Sequence, residues 1–253
     1  MKLYVPEYYP AFRCVAGRCR HTCCAGWEVA VDEASLSRFL RMPDVAPHVD
    51  TEGGAHLRLL PGECCPFLNE EGLCRMILRH GEDVLCDICR DHPRFRSFWS
   101  DRVEMGLGLV CEEAGRLILG RRRPFGMILW KDDGTPGEAM GEAERALYRL
   151  RGGMLRQGPD FLPEREELRS PAARLWEYLT FRHLPDSLYD ARVEERRAFV
   201  AAAYRELTDL WAGSGGTLPE LVEICRQWSY DVEYDDEELQ RRLCAFSLTE
   251  QVP

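Results

Sequence analysis

The chain has 253 residues, of which 45% are hydrophobic and 30% are charged, and its formal net charge is −10. This length can bury a core without covalent cross-links, and the composition excludes a largely disordered chain. No window approaches 18 uncharged apolar residues, and the start, MKLYVPEYYPAF, lacks the apolar stretch of a signal peptide. We therefore expect a soluble, cytoplasmic protein that has no membrane partner.

The acidic charge belongs to the second half of the chain. Residues 1–125 carry 17 Lys and Arg against 18 Asp and Glu, whereas the remainder carries 16 against 25. An acidic chain lacks the basic surface that non-specific phosphate binding needs, which argues against nucleic acid as the main partner.

The first half, residues 1–120, is predicted to consist of short elements between cysteine-bearing loops. Alternating apolar and polar residues predict strands at 27–31, 56–60 and 95–99. Asp32 is a suitable N-cap for a short helix that runs to about Arg41. Glu112 and Glu113 favour the start of a helix that ends at Gly120, and Cys111 then lies near its N-terminus.

The second half is predicted to be helical. Residues 121–137, with RRRP and DDGTPG, have the composition of a linker or loop. Residues 138–253 then show apolar spacing typical of four or five helices, broken near 152–153, 159–163, 185 and 213–216. The clearest spacing is at Val200, Tyr204, Leu207 and Trp211, and Thr217 with Glu220 has the spacing of a capping box. The predicted fold is mainly α with short β elements: an irregular, cysteine-rich, metal-binding N-terminal half, then a helical C-terminal half.

Cysteine is concentrated in the first half: ten of the twelve lie between positions 14 and 111. In a reducing cytosol such cysteines are metal ligands or catalytic thiols rather than disulfides. Sites built wholly from thiolates select zinc or iron–sulfur clusters. The spacing is Cys14-x4-Cys19-x3-Cys23-Cys24, then Cys64-Cys65, Cys74, Cys86-x2-Cys89 and Cys111. It predicts a metal centre, but not which metal, and six to nine ligands imply two sites or one cluster beside free thiols.

Some cysteines are expected to be small core residues instead. This applies to Cys64, and to Cys225 and Cys244 on the C-terminal helices. A radical S-adenosylmethionine loop is excluded, because it needs Cys-x3-Cys-x2-Cys and the third position after Cys23 is Gly26. Only Cys86-x2-Cys89 has the spacing of a zinc knuckle.

The order of these residues resembles the flagellin lysine-N-methylase family, within the wider CxxCxxCC-type proteins thought to chelate iron or zinc. The match covers about residues 6–120 and rests on Phe12-Arg-Cys14, Cys19, Thr22-Cys23-Cys24-Ala-Gly-Trp27-Glu-Val-Ala-Val-Asp32, Cys65-Pro-Phe-Leu, Gly72-Leu-Cys74, Leu85-Cys86, Cys89, Pro93-Arg94 and Cys111-Glu-Glu-Ala.

The resemblance implies a bacterial enzyme that transfers a methyl group from S-adenosylmethionine to lysines of flagellin or another protein and contains an iron–sulfur cluster, expected as 4Fe–4S, with zinc as the alternative. Carried over by position, the implied metal ligands are Cys14, Cys19, Cys23, Cys24, Cys65, Cys74, Cys86, Cys89 and Cys111. The sequence identifies neither catalytic residues nor the residues that would bind the methyl donor.

Two other hypotheses remain open. One is a noncatalytic iron- or zinc-binding protein, and the other is a redox sensor in which Cys86 and Cys89 react. His21 and His92 are candidate ligands, although loop positions are the simpler expectation for both. Gly106-Leu-Gly108 is too short for a nucleotide-binding loop and is expected as a turn.

Three further groups of side chains have a functional and a structural interpretation. Arginines after the Cys86/Cys89 knuckle could offset thiolate charge, or they could be solvated or paired with nearby acids; they are Arg90, Arg94 and Arg96. Aromatic residues could line a pocket, but are expected to fill a core; they are Tyr8, Tyr9, Trp27, Phe95 and Trp99. An acidic run could attract a lysine-rich substrate, but is expected as a solvated helix start; it comprises Glu233, Asp235, Asp236, Glu237 and Glu238.

Overall fold

A computed structural model describes residues 1–247 and divides them into two compact units. The thiol unit is Arg13–His92, and the helical unit combines Met1–Phe12 with residues 93–247. The boundaries expected from sequence, at 120 and 138, differ from this division. Residues 93–120, which the sequence groups with the cysteine-rich half, contribute two strands and a helix to the helical unit.

The thiol unit contains little regular structure. Its helices are α1 (Glu33–Phe39), α2 (Arg75–His80) and α3 (Asp87–Asp91), and β2 (Val49–Asp50) pairs antiparallel with β3 (His56–Leu57). Its apolar core is built from scattered residues of these elements and their loops, among them Phe39, Val45 and Phe67.

Two strand predictions in this unit are wrong in extent, whereas the helix prediction is confirmed. Residues 27–31 are not a strand; they are joined to the segment 55–57 by single backbone bonds, Leu57 N–H to Val29 O and Val31 N–H to Ala55 O. The side chains nevertheless alternate between buried and exposed, since Val29 and Val31 are buried and residues 28 and 30 are exposed. Strand β3 ends at Leu57 rather than at residue 60. Helix α1 begins after Asp32, as predicted.

The helical unit is organised around a four-stranded mixed sheet. Its strands are β1 (Lys2–Pro6), β4 (Arg94–Phe98), β5 (Arg102–Leu107) and β6 (Met127–Asp132), in the order β4-β5-β1-β6. Strands β1 and β5 are parallel, and the other pairs are antiparallel. The third predicted strand therefore exists, as β4, within one residue of its expected limits.

Strand β6 corrects the linker prediction for residues 121–137. It pairs with β1, Met127 and Ile128 pack against the main core, and residues 129–132 are exposed at the sheet edge. The turn-forming residues on both sides obscured the strand, although the apolar run from Met127 to Trp130 was a signal for it. Gly106 likewise belongs to β5 rather than to a turn. A Cβ there would lie 2.4 Å from Phe95 Cζ, so close ring packing accounts for that glycine.

Helices form the remainder of this unit. They are α4 (Glu112–Leu119), α5 (Glu142–Gln157), α6 (Glu166–His183), α7 (Ser187–Asp190), α8 (Val193–Ser214), α9 (Leu218–Trp228) and α10 (Asp236–Ser247), with a π-helical turn at Ser229–Glu233. The predicted start of α4 and the breaks near 159–163, 185 and 213–216 are confirmed. Val200, Tyr204, Leu207 and Trp211 are all buried, and both halves of the Thr217–Glu220 capping box are present.

The predicted break at 152–153 is wrong, because α5 continues through both glycines. Arg151 is buried and its Nη2 donates to Glu104 Oε1 at 2.9 Å, while the guanidinium lies 4.9 Å from the Trp99 ring. Leu147 is buried as well, and the Met154 carbonyl accepts a bond from Trp176 Nε1 at 3.0 Å. Tertiary contacts on both sides of the glycine pair thus override its low helix propensity.

Candidate functional site

Backbone pairing in the thiol unit brings several cysteine loops together. Cys65 N–H donates to the Cys24 carbonyl at 2.8 Å, and Ala25 and Cys64 form an isolated antiparallel bridge. Leu68 and Cys74 form another, and Arg75 N–H donates to Phe67 O at 2.7 Å. The loops that carry Cys24, Cys65 and Cys74 are therefore linked one to the next.

Helix α3 supplies two more thiols. Cys86 is its N-cap residue, and Cys89 lies one turn further on, so both thiols lie on one side of the helix start. The Cys89 thiol donates a hydrogen bond to the Cys86 sulfur. Cys86 is 2% exposed and Cys65 is 6% exposed, whereas Cys24, Cys74 and Cys89 are half-buried. None of the five is in a disulfide.

These five thiols share one apolar core: Cys65 and Cys86 lie in it, and the others pack against it. Burial, with smaller contributions from charge on the Cys24, Cys74 and Cys86 thiols, raises the pKa of Cys65 to about 12. Burial also raises the pKa of Cys74, with a contribution from Cys24 and Cys86. We call Cys24, Cys65, Cys74, Cys86 and Cys89 the thiol cluster.

Two members of the thiol cluster have lowered pKa values. A hydrogen bond from the Cys23 thiol lowers the pKa of Cys24 to about 7, against the opposing effect of burial. The Cys89 thiol lowers the pKa of Cys86 to about 7 in the same way, and the pKa of Cys89 is raised in return. Each of these two thiols therefore accepts a hydrogen bond from a neighbouring thiol, an arrangement that favours its thiolate for nucleophilic attack or metal binding.

The remaining predicted ligands occupy different surroundings. Cys14 is exposed and accepts a bond from Ala16 N–H at 3.4 Å, and the Cys19 thiol donates to the His21 carbonyl at 2.7 Å. Cys23 contacts the cluster through Cys24. Cys111 is the N-cap residue of α4 in the helical unit. Of the nine predicted ligands, the structure thus brings five together in the thiol cluster.

The cysteines expected to be bystanders have no role in the cluster. Cys225 is completely buried among the helices, which raises its pKa, and Cys244 is exposed. The Cys64 thiol makes a local contact with the Gly62 carbonyl at 3.5 Å. Within residues 1–247, no group of three or more His, Cys, Asp or Glu side chains is arranged so that it could hold a metal ion as it stands. Metal binding by the N-terminal half stays a prediction.

The structural interpretation holds for much of the other candidate chemistry. Arg90 pairs with Asp87, and Arg94 Nε donates to the Tyr9 hydroxyl at 2.7 Å. Of the candidate aromatic residues, Tyr9, Phe95 and Trp99 are buried. In the acidic run, the residues from 235 to 237 are exposed, as expected of a helix start.

Glu233 is the exception that the sequence did not reveal. It is 6% exposed, and its carboxylate accepts bonds from the Tyr178 hydroxyl at 2.8 Å, from His183 Nε2 at 2.8 Å and from Ser229. Burial alone would raise its pKa, but His183 and Arg182 more than offset that and lower it. The network joins α6 to the π-helical turn. The sequence did not reveal this network because Tyr178 and His183 are 55 and 50 residues away from Glu233 in the chain.

Comparison with known proteins confirms the resemblance to lysine-N-methylases over part of the chain. A lysine-N-methylase from Salmonella choleraesuis is 30% identical over 128 residues, which cover 45% of this chain and 31% of that protein. The lysine-N-methylase of Salmonella typhimurium is 29% identical, with the same coverage. These matches support a relationship to the flagellin lysine-N-methylase family.

A shorter relative carries a flagellar name. The flagellar biosynthetic protein FliU of Salmonella muenchen is 27% identical over 128 residues, covering 45% of this chain and 75% of that protein. The chain thus spans about a third of the length of the lysine-N-methylases that it matches. No family profile matches the chain, and neither does any solved structure. No helix within residues 1–247 is long and apolar enough to cross a membrane.

Proposed function

We propose that this chain is a cytoplasmic protein lysine N-methyltransferase that acts on flagellin or another lysine-bearing flagellar protein and uses S-adenosylmethionine as methyl donor. The proposal includes a metal centre in the thiol cluster, expected as an iron–sulfur cluster of the 4Fe–4S type, with zinc as the alternative. The names of the relatives support the activity. The observation that supports the metal centre is the packing of five thiols from separate segments in and against one apolar core.

The thiols of the cluster match both metals in ligand type and number, and binding either metal would require them to move closer together than they lie in residues 1–247. Four thiolates complete either a tetrahedral zinc site or the ligation of a 4Fe–4S cluster, and the thiol cluster has five. Metal binding requires deprotonated thiols, and a bound cation would supply the positive charge that offsets the cost of ionising the buried Cys65 and Cys74. Cys14, Cys19, Cys23 and Cys111 remain proposed ligands from the family pattern.

Lysine methylation makes a separate demand on the protein. The lysine amine must lose its proton before it can attack a methyl group, so the site must desolvate the amine or place a base beside it. Bound S-adenosylmethionine supplies an electrophilic methyl group on a sulfonium. The residues that bind it are not assigned, and the proposal for this step rests on the relatives alone.

The metal centre is tested by purifying the full chain without oxygen and measuring its absorption spectrum and metal content. A broad visible absorption with iron and sulfide is expected, and a colourless protein with zinc would select the alternative metal. Cys24→Ser and Cys89→Ser should each lower the metal content, because they remove cluster thiols. Cys244→Ser is the matched control, since that thiol is exposed and lies on α10. Equal metal content in all variants would contradict a metal centre in the thiol cluster.

The transferase activity needs its own experiment. The holoprotein is incubated with flagellin and S-adenosylmethionine that carries a labelled methyl group, and modified lysines are located by mass spectrometry. Transfer to lysine is expected with flagellin and not with flagellin whose lysines have been blocked chemically. A metal-loaded protein that transfers no methyl group would favour the noncatalytic metal-binding alternative.

One observation favours a second candidate, a thiol redox role. The Cys89 thiol donates a hydrogen bond to the Cys86 sulfur, and that hydrogen bond lowers the pKa of Cys86. Such a pair can be oxidised to a disulfide by a small-molecule disulfide, with two protons and two electrons passing to the oxidant. Titration with oxidised and reduced glutathione tests this candidate. A pair that stays reduced in the metal-loaded protein would argue against it.

A further inference from the structure

Helix α1 contacts the segment that carries Cys86 at two places. Asp32 Oδ1 accepts a bond from Ser35 N–H at 2.9 Å, which caps α1, while Asp32 Oδ2 accepts one from Asp87 N–H at 2.8 Å. Asp87 is the first residue of α3. A single carboxylate therefore caps the helix that it precedes and also holds the start of the helix that carries the knuckle.

The other end of α1 reaches the same segment. Arg38 Nη2 donates to the carbonyl oxygens of Val84 at 3.1 Å and Leu85 at 3.4 Å, and to Ser35 Oγ at 2.8 Å. Asp32, Ser35 and Arg38 are spaced three residues apart and so lie along one side of α1. Val84 and Leu85 come directly before Cys86. Residues 84–87 are thus held through two carbonyl groups on one side of the cysteine and through an N–H group on the other.

These contacts are needed because α3 is too short to hold its own backbone in a helical conformation. It has five residues, and a helix of that length does not persist without tertiary support. The carbonyls of Val84 and Leu85 and the N–H of Asp87 would otherwise be bound to water, and Cys86 would be free to move with them. Fixing the backbone on both sides of Cys86 limits where its thiol, and that of Cys89, can lie.

We propose that Asp32 and Arg38 are positioning residues for the metal centre, which hold the Cys86–Cys89 knuckle where both thiols can bind the metal. This inference rests on the proposed metal centre and assigns it support that lies outside its ligands. Residues that orient metal ligands commonly change metal affinity by ~10–100-fold when they are replaced.

The decisive variant is Asp32→Asn in the full chain. Asparagine is as good an N-cap as aspartate, so α1 keeps its first turn. Its amide has one acceptor oxygen only, so Asp87 N–H loses its partner. Affinity for Zn²⁺, measured without oxygen against a competing chromophoric chelator, is expected to fall ~10-fold or more. Thr217→Ala is the matched control, because it removes an N-cap from α9 in the helical unit, and its Zn²⁺ affinity should equal that of the unchanged chain.

A folded Asp32→Asn protein with unchanged Zn²⁺ affinity would overturn the proposal. If Asp32→Asn does not fold, Arg38→Met replaces it in the same measurement. Methionine keeps an apolar stem and removes the hydrogen-bond donors to the carbonyls of residues 84 and 85. The outcome can be separated from a failure of the metal centre. If the unchanged chain binds neither zinc nor iron, hydrogen exchange of residues 84–91 is the readout. Exchange should be about fivefold faster in Asp32→Asn, equivalent to one hydrogen bond of about 1 kcal/mol, and equal rates would refute the positioning role.

Discussion

The two compact units differ in how their chains are held. The helical unit has long helices around one large core, with Trp211, Tyr178 and Phe181 almost completely buried. The thiol unit has helices of five to seven residues and strands of two, and two of its core residues are cysteines. Elements that short are not stable alone, so backbone bonds between loops and the side chains of α1 provide much of the order.

The difference indicates what each unit depends on. The helical unit pairs buried charges internally in the Arg151–Glu104 ion pair and in the Glu233 network. In the thiol unit, burial disfavours the ionised form of two members of the thiol cluster, Cys65 and Cys74. A bound cation would stabilise the ionised thiols and would also cross-link the four chain segments that carry them. Four experiments test this contrast, in order of decreasing effect.

Metal removal should produce the largest difference in stability between the two units. Structural zinc contributes on the order of 10 kcal/mol to the folding of small metal-binding modules. Treating the holoprotein with a strong chelator should therefore remove hydrogen-exchange protection from residues 13–92 and leave α6 and α8 protected. Equal protection of both units after complete metal loss would break the comparison.

Trp211→Ala should destabilise the helical unit by ~3–5 kcal/mol, because it leaves a large cavity. Trp211 is 1% exposed, and its Nε1 donates to the Thr217 carbonyl at 2.7 Å. Chemical denaturation followed by circular dichroism measures the loss. Metal content per chain should stay the same at temperatures where the variant is folded, and a parallel loss of metal would show that the units depend on each other.

Thr217→Ala should cost about 1 kcal/mol, the usual contribution of an N-cap. Thr217 Oγ1 accepts from Glu220 N–H, and the Glu220 carboxylate accepts from Thr217 N–H at 2.8 Å. The free energy of unfolding, compared with that of the unchanged chain, checks this value. A loss near zero would mean that α9 is held by its buried face alone.

Acid should weaken the thiol unit through Asp32. Partial desolvation would raise the pKa of Asp32, but the N–H groups of Asp87 and Ser35 outweigh that and lower it from 3.8 to about 2. A carboxylate with a lowered folded-state pKa contributes stability that is present above pH 4 and lost as the pH falls toward 2. In metal-free protein, the free energy of unfolding should therefore decline less steeply over this range for Asp32→Asn. Parallel slopes for the two proteins would contradict the assigned contacts.

Local chemistry let the sequence predict a large part of the fold. Asp32 before α1, the Thr217–Glu220 box and the glycines at 215 and 216 act through neighbours in the chain, so they are visible without a structure. The apolar spacing from Val200 to Trp211 has the same property. The concentration of cysteines in the first half and the resemblance to lysine-N-methylases could also be read from the sequence directly.

Tertiary structure decided what depends on distant partners. The second oxygen of Asp32 acquired its role from Asp87, Glu233 became buried because Tyr178 and His183 surround it, and α5 runs through two glycines because Arg151 meets Glu104. The sequence determined that thiols are concentrated in the first half. Which five of them approach one another was decided by pairing between loops, because long gaps in the chain place no limit on distances in space.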